Sequence, residues 1–389
     1  MKHSSNKKKP LKIGLVFDDT LDSNDGVQQY VKSLGGWLID EGHEVRFLVG
    51  ETKNAGRFQP YVYSLSRNIK VRGNQNKMFL PFFSSRKDID QVLESEGFDV
   101  LHVMMPTNPF MGSRVVRRSG NVPVLGTFQM VGGTTLINVG AIVLRWLQSG
   151  TLRCIDHFLS VSTAAQAFES RYFGIDSEVS PNMVDMAGFA AGKPREFMRG
   201  DKGTIVFLGR LVERKGAIYL LKALRIVHQQ GKLQGVRVNI CGDGDLRSEL
   251  EDYVAHHQLG DAVMFHGFID EAEKSDFLAS ADIAVFPATG GEAFGIVLIE
   301  AMATGQSVVL GGDNSGYRTV LGGRPELLFD PYDHEALAAK ILHFLADKQS
   351  RQAAIDWQRN EVLQYDVNSV GQDMVRRYRA AIAQQTDTM

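Results

Sequence analysis

Cysteine is scarce in this chain, and no apolar run in it is long enough to cross a bilayer. Two cysteines among 389 residues exclude the dense disulfide framework of a small secreted domain. Cys154 and Cys241 both lie in apolar patterned segments, so we expect both to be buried free thiols in a reducing compartment. The most apolar helical stretch, residues 136–147, contains Arg145 and is too short to span a membrane.

An excess of charge of one sign is also lacking. The net charge of -2 gives no global field that favours nucleic acid, so we expect no nucleic-acid partner. Residues 1–10 form a lysine-rich basic tail with no apolar region after it, and we therefore expect no signal peptide. The length of 389 residues exceeds that of one typical core and indicates two domains.

Short apolar runs alternate with helical patterns along most of the chain. Residues 11–17 predict a buried strand, and apolar residues at helical spacing predict a helix over residues 26–41. Strands that alternate with helices pair in parallel, so the sequence predicts βαβ units. The other predicted strands are residues 44–49, 100–104, 122–127, 157–162, 204–208, 236–241, 263–265, 283–286 and 307–310.

The alternation is interrupted at residues 186–201, which are rich in Gly, Pro and charge and are interpreted as a linker. The fold class is therefore α/β, with two Rossmann-like doubly wound domains that face an interdomain cleft. We assign residues 11–190 to the first domain and residues 191–365 to the second. We predict a C-terminal helix over residues 366–389. The sequence leaves open which domain it packs on, and it can cross back to the first.

The strongest chemical signal is the segment 290–303, GGEAFGIVLIEAMA, which follows a predicted strand. Its glycines allow a close backbone approach to a ligand, and the N–H groups of a helix that begins near Gly295 favour a diphosphate. Glu292 precedes this helix and Glu300 lies about one turn inside it, so the two carboxylates can bind hydroxyl groups on either side of the anion. The alternative is a capped helix with a solvated Glu292 and a Glu300 paired to a cation.

Two further turns follow strands of the second half. Gly209 and Arg210 leave the first strand, and Lys215 opens the next helix; a guanidinium and an ammonium suit a diphosphate leaving group. The alternative is a solvated basic turn paired with Glu213. Gly242 lies in a glycine-rich turn after the neighbouring strand, which is also typical of a plain strand-to-helix connection.

In the first half, Gly26 opens a helix whose N–H groups can face phosphate or sugar, although Asp25 can also be an ordinary N-cap. Asp18 and Asp19 end the first strand. We interpret them as solvated loop acids rather than a metal pair, because no third ligand has suitable spacing. We therefore expect no metal site.

Taken together, these segments resemble the family 4 retaining glycosyltransferases, which adopt the GT-B fold of two Rossmann-like domains. The resemblance is carried by Glu292 and Glu300 at their spacing, Gly209-Arg210 with Lys215-Gly216, Gly242-Asp243-Gly244 and residues 180–185, SPNMVD, and it covers residues 11–380. Segments 205–215, 265–271 and 290–303 look most like phosphatidylinositol mannosyltransferases. That similarity implies GDP-mannose as donor and a lipid headgroup as acceptor.

The resemblance also implies a role for each matching residue. The first domain would bind the acceptor and the second the nucleotide sugar. Glu292, Arg210, Lys215 and Gln129 take the catalytic positions, with Glu292 orienting the sugar and Glu300 holding the ribose. The donor-binding positions are Gly26, Gly209, Arg210, Lys215, Gly242, Ile269, Glu292, Phe294, Gly295, Ile296, Val297 and Glu300.

Gln129 is the largest departure from the family pattern, because many relatives have a His at the end of this strand. A Gln can bind a sugar hydroxyl but cannot transfer a proton near neutral pH. This does not exclude transfer, since in this fold the leaving phosphate is thought to take the acceptor proton.

The resemblance favours a retaining hexosyltransferase that uses a nucleotide sugar, preferably GDP-mannose, and a lipid or glycan acceptor such as phosphatidylinositol. No cofactor is required, and Mg²⁺ is compatible but not indicated. The alternatives are a UDP-sugar enzyme with a soluble sugar or small-alcohol acceptor, a nucleotide-sugar epimerase of the same fold, and a silent binding module.

Basic residues beside an apolar run suggest contact with an anionic membrane surface. Arg67, Lys70, Arg72 and Lys77 precede residues 78–83, MFLPFF. We expect a cytoplasmic protein, either free or peripheral at the inner face of the membrane. The alternative is that residues 78–83 form a buried connection.

Overall fold

Parallel strands covered by helices make up both halves of the molecule. The computed structural model describes residues 9–23, 25–73, 76–132 and 135–388, without the side chains of residues 69–82, 133–139 and 387–388. The strands of the first half are β1 (Lys12–Phe17), β2 (Glu44–Val49), β3 (Val62–Ser64), β4 (Arg67–Gly73), β5 (Asn76–Phe83), β6 (Val100–Met104), β7 (Val124–Phe128), β8 (His157–Ser160) and β9 (Glu178–Val179). The helices are α1 (Gly26–Asp40), α2 (Arg86–Glu96), α3 (Met111–Val116), α4 (Thr135–Leu152), α5 (Thr163–Phe173) and α6 (Met186–Ala190).

The second half repeats this alternation. Its strands are β10 (Gly203–Leu208), β11 (Val236–Cys241), β12 (Val263–Gly267), β13 (Ile283–Phe286), β14 (Val308–Gly312) and β15 (Leu328–Phe329). Its helices are α7 (Ala217–Gln229), α8 (Arg247–His256), α9 (Glu271–Ala279), α10 (Ile296–Thr304), α11 (Ser315–Leu321), α12 (His334–Ala346), α13 (Lys348–Glu361) and α14 (Val367–Thr388).

The two large sheets have the same topology. The first has the order β3-β2-β1-β6-β7-β8-β9 and the second the order β12-β11-β10-β13-β14-β15, and every pairing within them is parallel. In each sheet the chain starts in the middle and winds in both directions, which leaves a crevice at the carboxyl ends of the two central strands. The predicted fold class of two doubly wound domains is confirmed.

Strand side chains in the first domain alternate between two separate cores, as the pleat requires. Ile13 and Leu15 of β1 pack with residues of α1 and α14, whereas Val16 packs on the other face with residues of α2 and α3. Burial on both faces explains why these strands are nearly continuous apolar runs in the sequence.

The chain crosses between the domains at two adjacent places. The Val184 N–H donates to the Tyr365 carbonyl and the Val367 N–H donates to the Val184 carbonyl, each at 2.9 Å. After the second crossing α14 lies on the first domain, where the Tyr378 hydroxyl is 2.8 Å from His102 Nδ1. Burial of that imidazole lowers its pKa to about 3, so it stays neutral.

Several sequence-based expectations need correction. Residues 186–201 are not all loop, because α6 forms within them behind the Asp185 side chain, which accepts from the Gly188 N–H. Residues 78–83, for which a buried connection was the alternative to a membrane contact, belong to strand β5, which pairs antiparallel with β4. Cys241 is a buried free thiol as expected, but Cys154 is exposed because it lies in the turn after α4.

Candidate active site

The candidate site lies at the carboxyl ends of β10 and β13, the two central strands of the second sheet. Gly209 follows β10, and residues 287–295 connect β13 to α10. These strands are neighbours whose connecting helices diverge, so their ends form the crevice expected to bind a ligand. The glycine-rich segment identified in the sequence therefore occupies the topological switch point of the domain.

Glycine is required at two positions around this crevice. At Gly242 φ is 140°, and a Cβ there would lie 1.9 Å from the Gly209 carbonyl oxygen, so only glycine lets the ends of β10 and β11 approach this closely. At Gly295 φ is 111°, and a Cβ would lie 2.7 Å from the Tyr317 ring. Gly295 is the N-cap of α10, and its missing side chain leaves the first N–H groups of that helix open to a ligand.

Glu292 lies in the turn before α10 and is held by two cations. Its Oε1 is 2.6 Å from Arg214 Nη1 and 2.8 Å from Lys215 Nζ, and its side chain is only 11% exposed. Burial acts to raise the pKa of Glu292, but Lys215 and Arg214 outweigh burial and hold the pKa below its ordinary value. Two cations beside one carboxylate leave an excess positive charge that suits a phosphate.

Glu300 lies inside α10 and is paired with a different cation. Its Oε1 is 2.8 Å from Nζ of the buried Lys274, whose ammonium is also 2.9 Å from Glu271 Oε1. Burial acts to lower the pKa of Lys274, but Glu300 and Glu271 outweigh burial and raise the pKa, so the lysine stays charged. The interpretation of Glu292 as solvated is excluded, whereas the ion pair considered for Glu300 is present.

The first domain contributes the opposite wall. Gln29 Nε2 of α1 lies 3.3 Å from Glu300 Oε1 and 3.2 Å from Glu271 Oε2. A Cβ on Gly26 would lie 3.4 Å from the Ile296 Cδ1 atom, so the N-terminal ends of α1 and α10 face each other. Both ends carry partial positive charge, which favours an anion between them.

Arg210 lies where the two domains meet and is not one of the two cations paired with Glu292. Its Nη2 is 3.8 Å from Asp25 Oδ1 across the cleft, and its side chain is about one third exposed. Asp25 occupies the N-cap position of α1, but its side chain makes no capping hydrogen bond. The Asp25 carboxylate is therefore oriented by Arg210 and not by the helix it precedes.

Gln129 lies directly after β7, on the first-domain side. Its N–H lies 3.3 Å from the Met105 sulfur, and its Nε2 is buried without a hydrogen-bond partner among the described residues. Met105 directly follows β6 and has φ at 55°, a conformation that is uncommon for a residue other than glycine. A buried amide donor without a partner is able to bind a hydroxyl group of a ligand.

The structure places the remaining predicted residues as follows. Ile269 lies in the turn between β12 and α9. Phe294 and Gly295 end the turn before α10, and Ile296 and Val297 are the first residues of that helix. Arg67 is exposed at the start of β4, while the side chains of Lys70, Arg72 and Lys77 lie outside the described residues, as does the tail before residue 9. Asp18 is buried rather than solvated: it accepts from the Gly112 N–H at 2.6 Å, and burial raises its pKa to about 7.

Three residues of the site were missed in the sequence. Arg214 adjoins Lys215 and could have been chosen from its position alone, but Lys274 and Gln29 carry no motif, and they reach Glu300 only through the folded chain.

In the described part of the chain there is no cluster of three His, Cys, Asp or Glu side chains able to hold a metal ion. None of the described helices is long and apolar enough to cross a membrane.

Comparison with known proteins identifies the family. A family model described as Glycosyltransferase Family 4 matches residues 24–187, and one described as Glycosyl transferases group 1 matches residues 192–361. A phosphatidyl-myo-inositol mannosyltransferase of Mycolicibacterium smegmatis is 30% identical over 375 residues, which cover 95% of this chain and 93% of that protein. The chain belongs to glycosyltransferase family 4.

Solved structures agree with this assignment at the level of the fold. A glycosyltransferase from Rickettsia africae superposes with a TM-score of 0.74 at 16% identity, over 95% of this chain and 99% of that one. Anabaena HepE in complex with UDP and glucose superposes with a TM-score of 0.69 at 17% identity, over 94% and 99% of the two chains. This glycosyltransferase thus has the GT-B fold, as the resemblance implied.

Lys274 and Glu300 form a buried ion pair whose disruption is measurable in this glycosyltransferase. We expect Lys274→Met to destabilise the protein by about 3–5 kcal/mol, because it leaves the Glu300 carboxylate buried without its cation. The double variant Lys274→Met with Glu300→Gln should regain most of the lost free energy of unfolding, because no uncompensated charge remains. Urea unfolding of the single and double variants measures both free energies.

The exposed Lys348 at the start of α13 provides the matched control. Lys348→Met should change the free energy of unfolding by less than about 0.5 kcal/mol. A Lys274→Met variant as stable as this control, or a double variant no more stable than Lys274→Met, would contradict the ion pair.

Proposed function

We propose that this glycosyltransferase transfers mannose from GDP-mannose to the headgroup of a phosphatidylinositol lipid, with retention of the anomeric configuration. The observation that carries the proposal is the pair of carboxylates on either side of the α10 N-terminus. This arrangement fits a diphosphate at the helix end, with a sugar on one side and a ribose on the other. The relatives named phosphatidyl-myo-inositol mannosyltransferase support the choice of mannose and of a phosphatidylinositol acceptor.

The second carboxylate oxygens support separate roles for Glu292 and Glu300. The ion pairs described above engage Oε1 of each residue, so Oε2 can accept hydrogen bonds from hydroxyl groups. We assign Glu292, in the turn, to the sugar that is transferred and Glu300, inside the helix, to the ribose. Arg210 and Lys215 would bind the diphosphate and stabilise it as it leaves.

Retention is proposed to occur on one face of the sugar. The bond between the anomeric carbon and the β-phosphate oxygen breaks, and the acceptor oxygen bonds to the same carbon from the same face. The acceptor proton passes to the departing phosphate oxygen, so that Gln129 needs only to orient a hydroxyl group. This assignment accommodates an amide at a position where many relatives have a His.

Closure of the two domains would assemble the complete site. Gln29 contacts Glu300 and Glu271 across the cleft, and the Ser162 hydroxyl donates to the Ala293 carbonyl at 2.5 Å. The contacts describe a closed arrangement in which the donor is shielded from water, as a transfer enzyme requires. The proposed acceptor would enter from the first domain, at the inner face of the membrane.

Donor binding and turnover should respond differently to the two carboxylates. We expect Glu300→Gln to weaken GDP-mannose binding by about 1.5–3 kcal/mol, because a charged hydrogen bond to the ribose is lost. Glu292→Gln should lower kcat more than donor affinity, because it contacts the sugar that moves. Calorimetric titration and steady-state kinetics separate these effects, with the exposed Glu335→Gln as control.

Donor screening distinguishes the alternatives. GDP-mannose should raise Tm more than UDP-glucose or ADP-glucose at equal concentration, since tighter binding stabilises the folded state further. Unchanged kinetics in both Glu variants would reject the site. A change of the donor sugar without acceptor would indicate an epimerase, and donor binding without any turnover would indicate a silent binding module.

The stereochemical course is tested separately by NMR of the product. With an α-linked donor we expect an α-linked mannoside, identified by the one-bond coupling between the anomeric carbon and its proton. The reason is the same-face mechanism, in which no side chain acts as an inverting base. A β-linked product would contradict retention while leaving the donor assignment open to the binding test.

A further inference from the structure

Helix α4 exposes an apolar face to the surroundings. Ile142, Val143, Trp146 and Leu147 point outward, and Trp146 is 78% exposed. With 100° between successive residues, these four side chains fall within one arc of the helix. A contiguous exposed apolar face of this kind is typical of an interaction surface, whereas single exposed apolar residues are ordinary.

The opposite face of α4 is buried and partly polar. Gln148 and Thr151 are buried, and both contact the hydroxyl of Ser113 on α3, at 2.9 Å and 2.6 Å. Ala141 packs into the small core formed with Phe128 and Phe168. The inward face of the helix thus combines hydrogen-bonding groups with apolar residues such as Ala141 and Leu144, and the outward face is apolar where that of an ordinary surface helix is polar.

The charge around this face is positive. Residues 129–155 contain no Asp or Glu, and Arg145 and Arg153 are both exposed. On the neighbouring helix, Arg117 Nε donates to the Thr151 hydroxyl at 2.8 Å. Apolar side chains flanked by arginines complement the acyl boundary and the anionic headgroups of a bilayer.

The position of α4 connects this face to the proposed acceptor. The helix begins at Thr135, six residues after Gln129 at the cleft. On its other side, α3 is joined to the end of the β4–β5 hairpin by Arg114, whose Nη1 donates to the Ser84 carbonyl at 2.7 Å. Phe83, the last residue of that hairpin, is also exposed.

We propose that the outward face of α4 inserts into the interfacial region of an anionic lipid bilayer and thereby presents lipid headgroups to the cleft beside Gln129. The proposal rests on the proposed function for the identity of the acceptor, but the membrane contact itself is tested without it. The absence of acidic residues over residues 129–155 favours a bilayer over a second copy of this chain. If this face bound a second copy of the chain, the arginines Arg145 and Arg153 of the two copies would be brought together and would repel each other.

Vesicle binding tests the surface directly. The probes are vesicles of phosphatidylcholine with phosphatidylglycerol, which lack the proposed acceptor, and vesicles of phosphatidylcholine alone. The full chain should sediment with the anionic vesicles only, and salt should weaken the binding. Leu147→Glu should weaken it about tenfold or more, because one buried leucine is replaced by a charge that anionic headgroups repel.

Leu363 provides a matched control, because it is 54% exposed in the second domain and Leu147 is 52% exposed in the first. Leu363→Glu should bind vesicles like the unmodified chain. Fluorescence gives a second readout: Trp146 emission should shift to the blue on anionic vesicles. Trp146→Phe should keep the binding and lose most of the shift, because the other two tryptophans are at least half-buried.

Three outcomes would overturn the proposed membrane contact. Equal vesicle binding by Leu147→Glu and Leu363→Glu would mean that α4 does not contact lipid, as would no binding to anionic vesicles at low salt. A dimer that Leu147→Glu dissociates, with vesicle binding unchanged, would assign the face to a second copy. Transfer to a water-soluble short-chain phosphatidylinositol is measured in parallel. Its absence from the unmodified chain would reject the proposed function and leave the membrane contact standing.

Discussion

A carboxylate buried in a closed cleft needs cations and hydrogen-bond donors beside it to carry its charge, and the site is organised around this constraint. Glu292 is held by Arg214 and Lys215, and Glu300 by Lys274. These cations come from the turn after β10 and from α9, so the ion pairs connect three separate elements at the carboxyl ends of the strands. The side chains are thereby fixed before any ligand arrives, which is the preorganisation that binding and catalysis need.

The domain arrangement follows from contacts at opposite ends of the cleft. At the mouth, Gln29 and Arg210 connect the two domains beside the N-terminal ends of α1 and α10. At the back, the crossings at Val184 and Val367 are hydrogen-bonded to each other. Because α14 returns to the first domain, that domain contains residues from both sides of the second crossing. The two helix ends therefore face each other across a short gap suited to an anion.

Much of the fold was predictable because parallel strands buried on both faces leave unbroken apolar runs. The strands at residues 44–49, 100–104, 236–241 and 283–286 match the prediction to the residue. The hairpin of β4 and β5 was missed although its first strand alternates charged and apolar residues, because the segment was interpreted as a basic and apolar membrane contact or a buried connection. Within the site, Glu292 and Glu300 were found from glycine spacing. Lys274 lies 26 residues before Glu300 in the sequence, and no local pattern predicts their pairing.

In the proposed function, Gln129 and the turn before α10 flank the reaction centre, and charge is supplied there by fixed cations and helix ends. Hydrogen–deuterium exchange with and without GDP-mannose tests this account most directly. The account predicts slower exchange of amides in residues 209–216 and 290–297 of the second domain, with weaker protection at residues 25–29 on the opposite wall. Protection confined to surfaces outside the cleft, or no change at saturating donor, would contradict the assignment of the donor site.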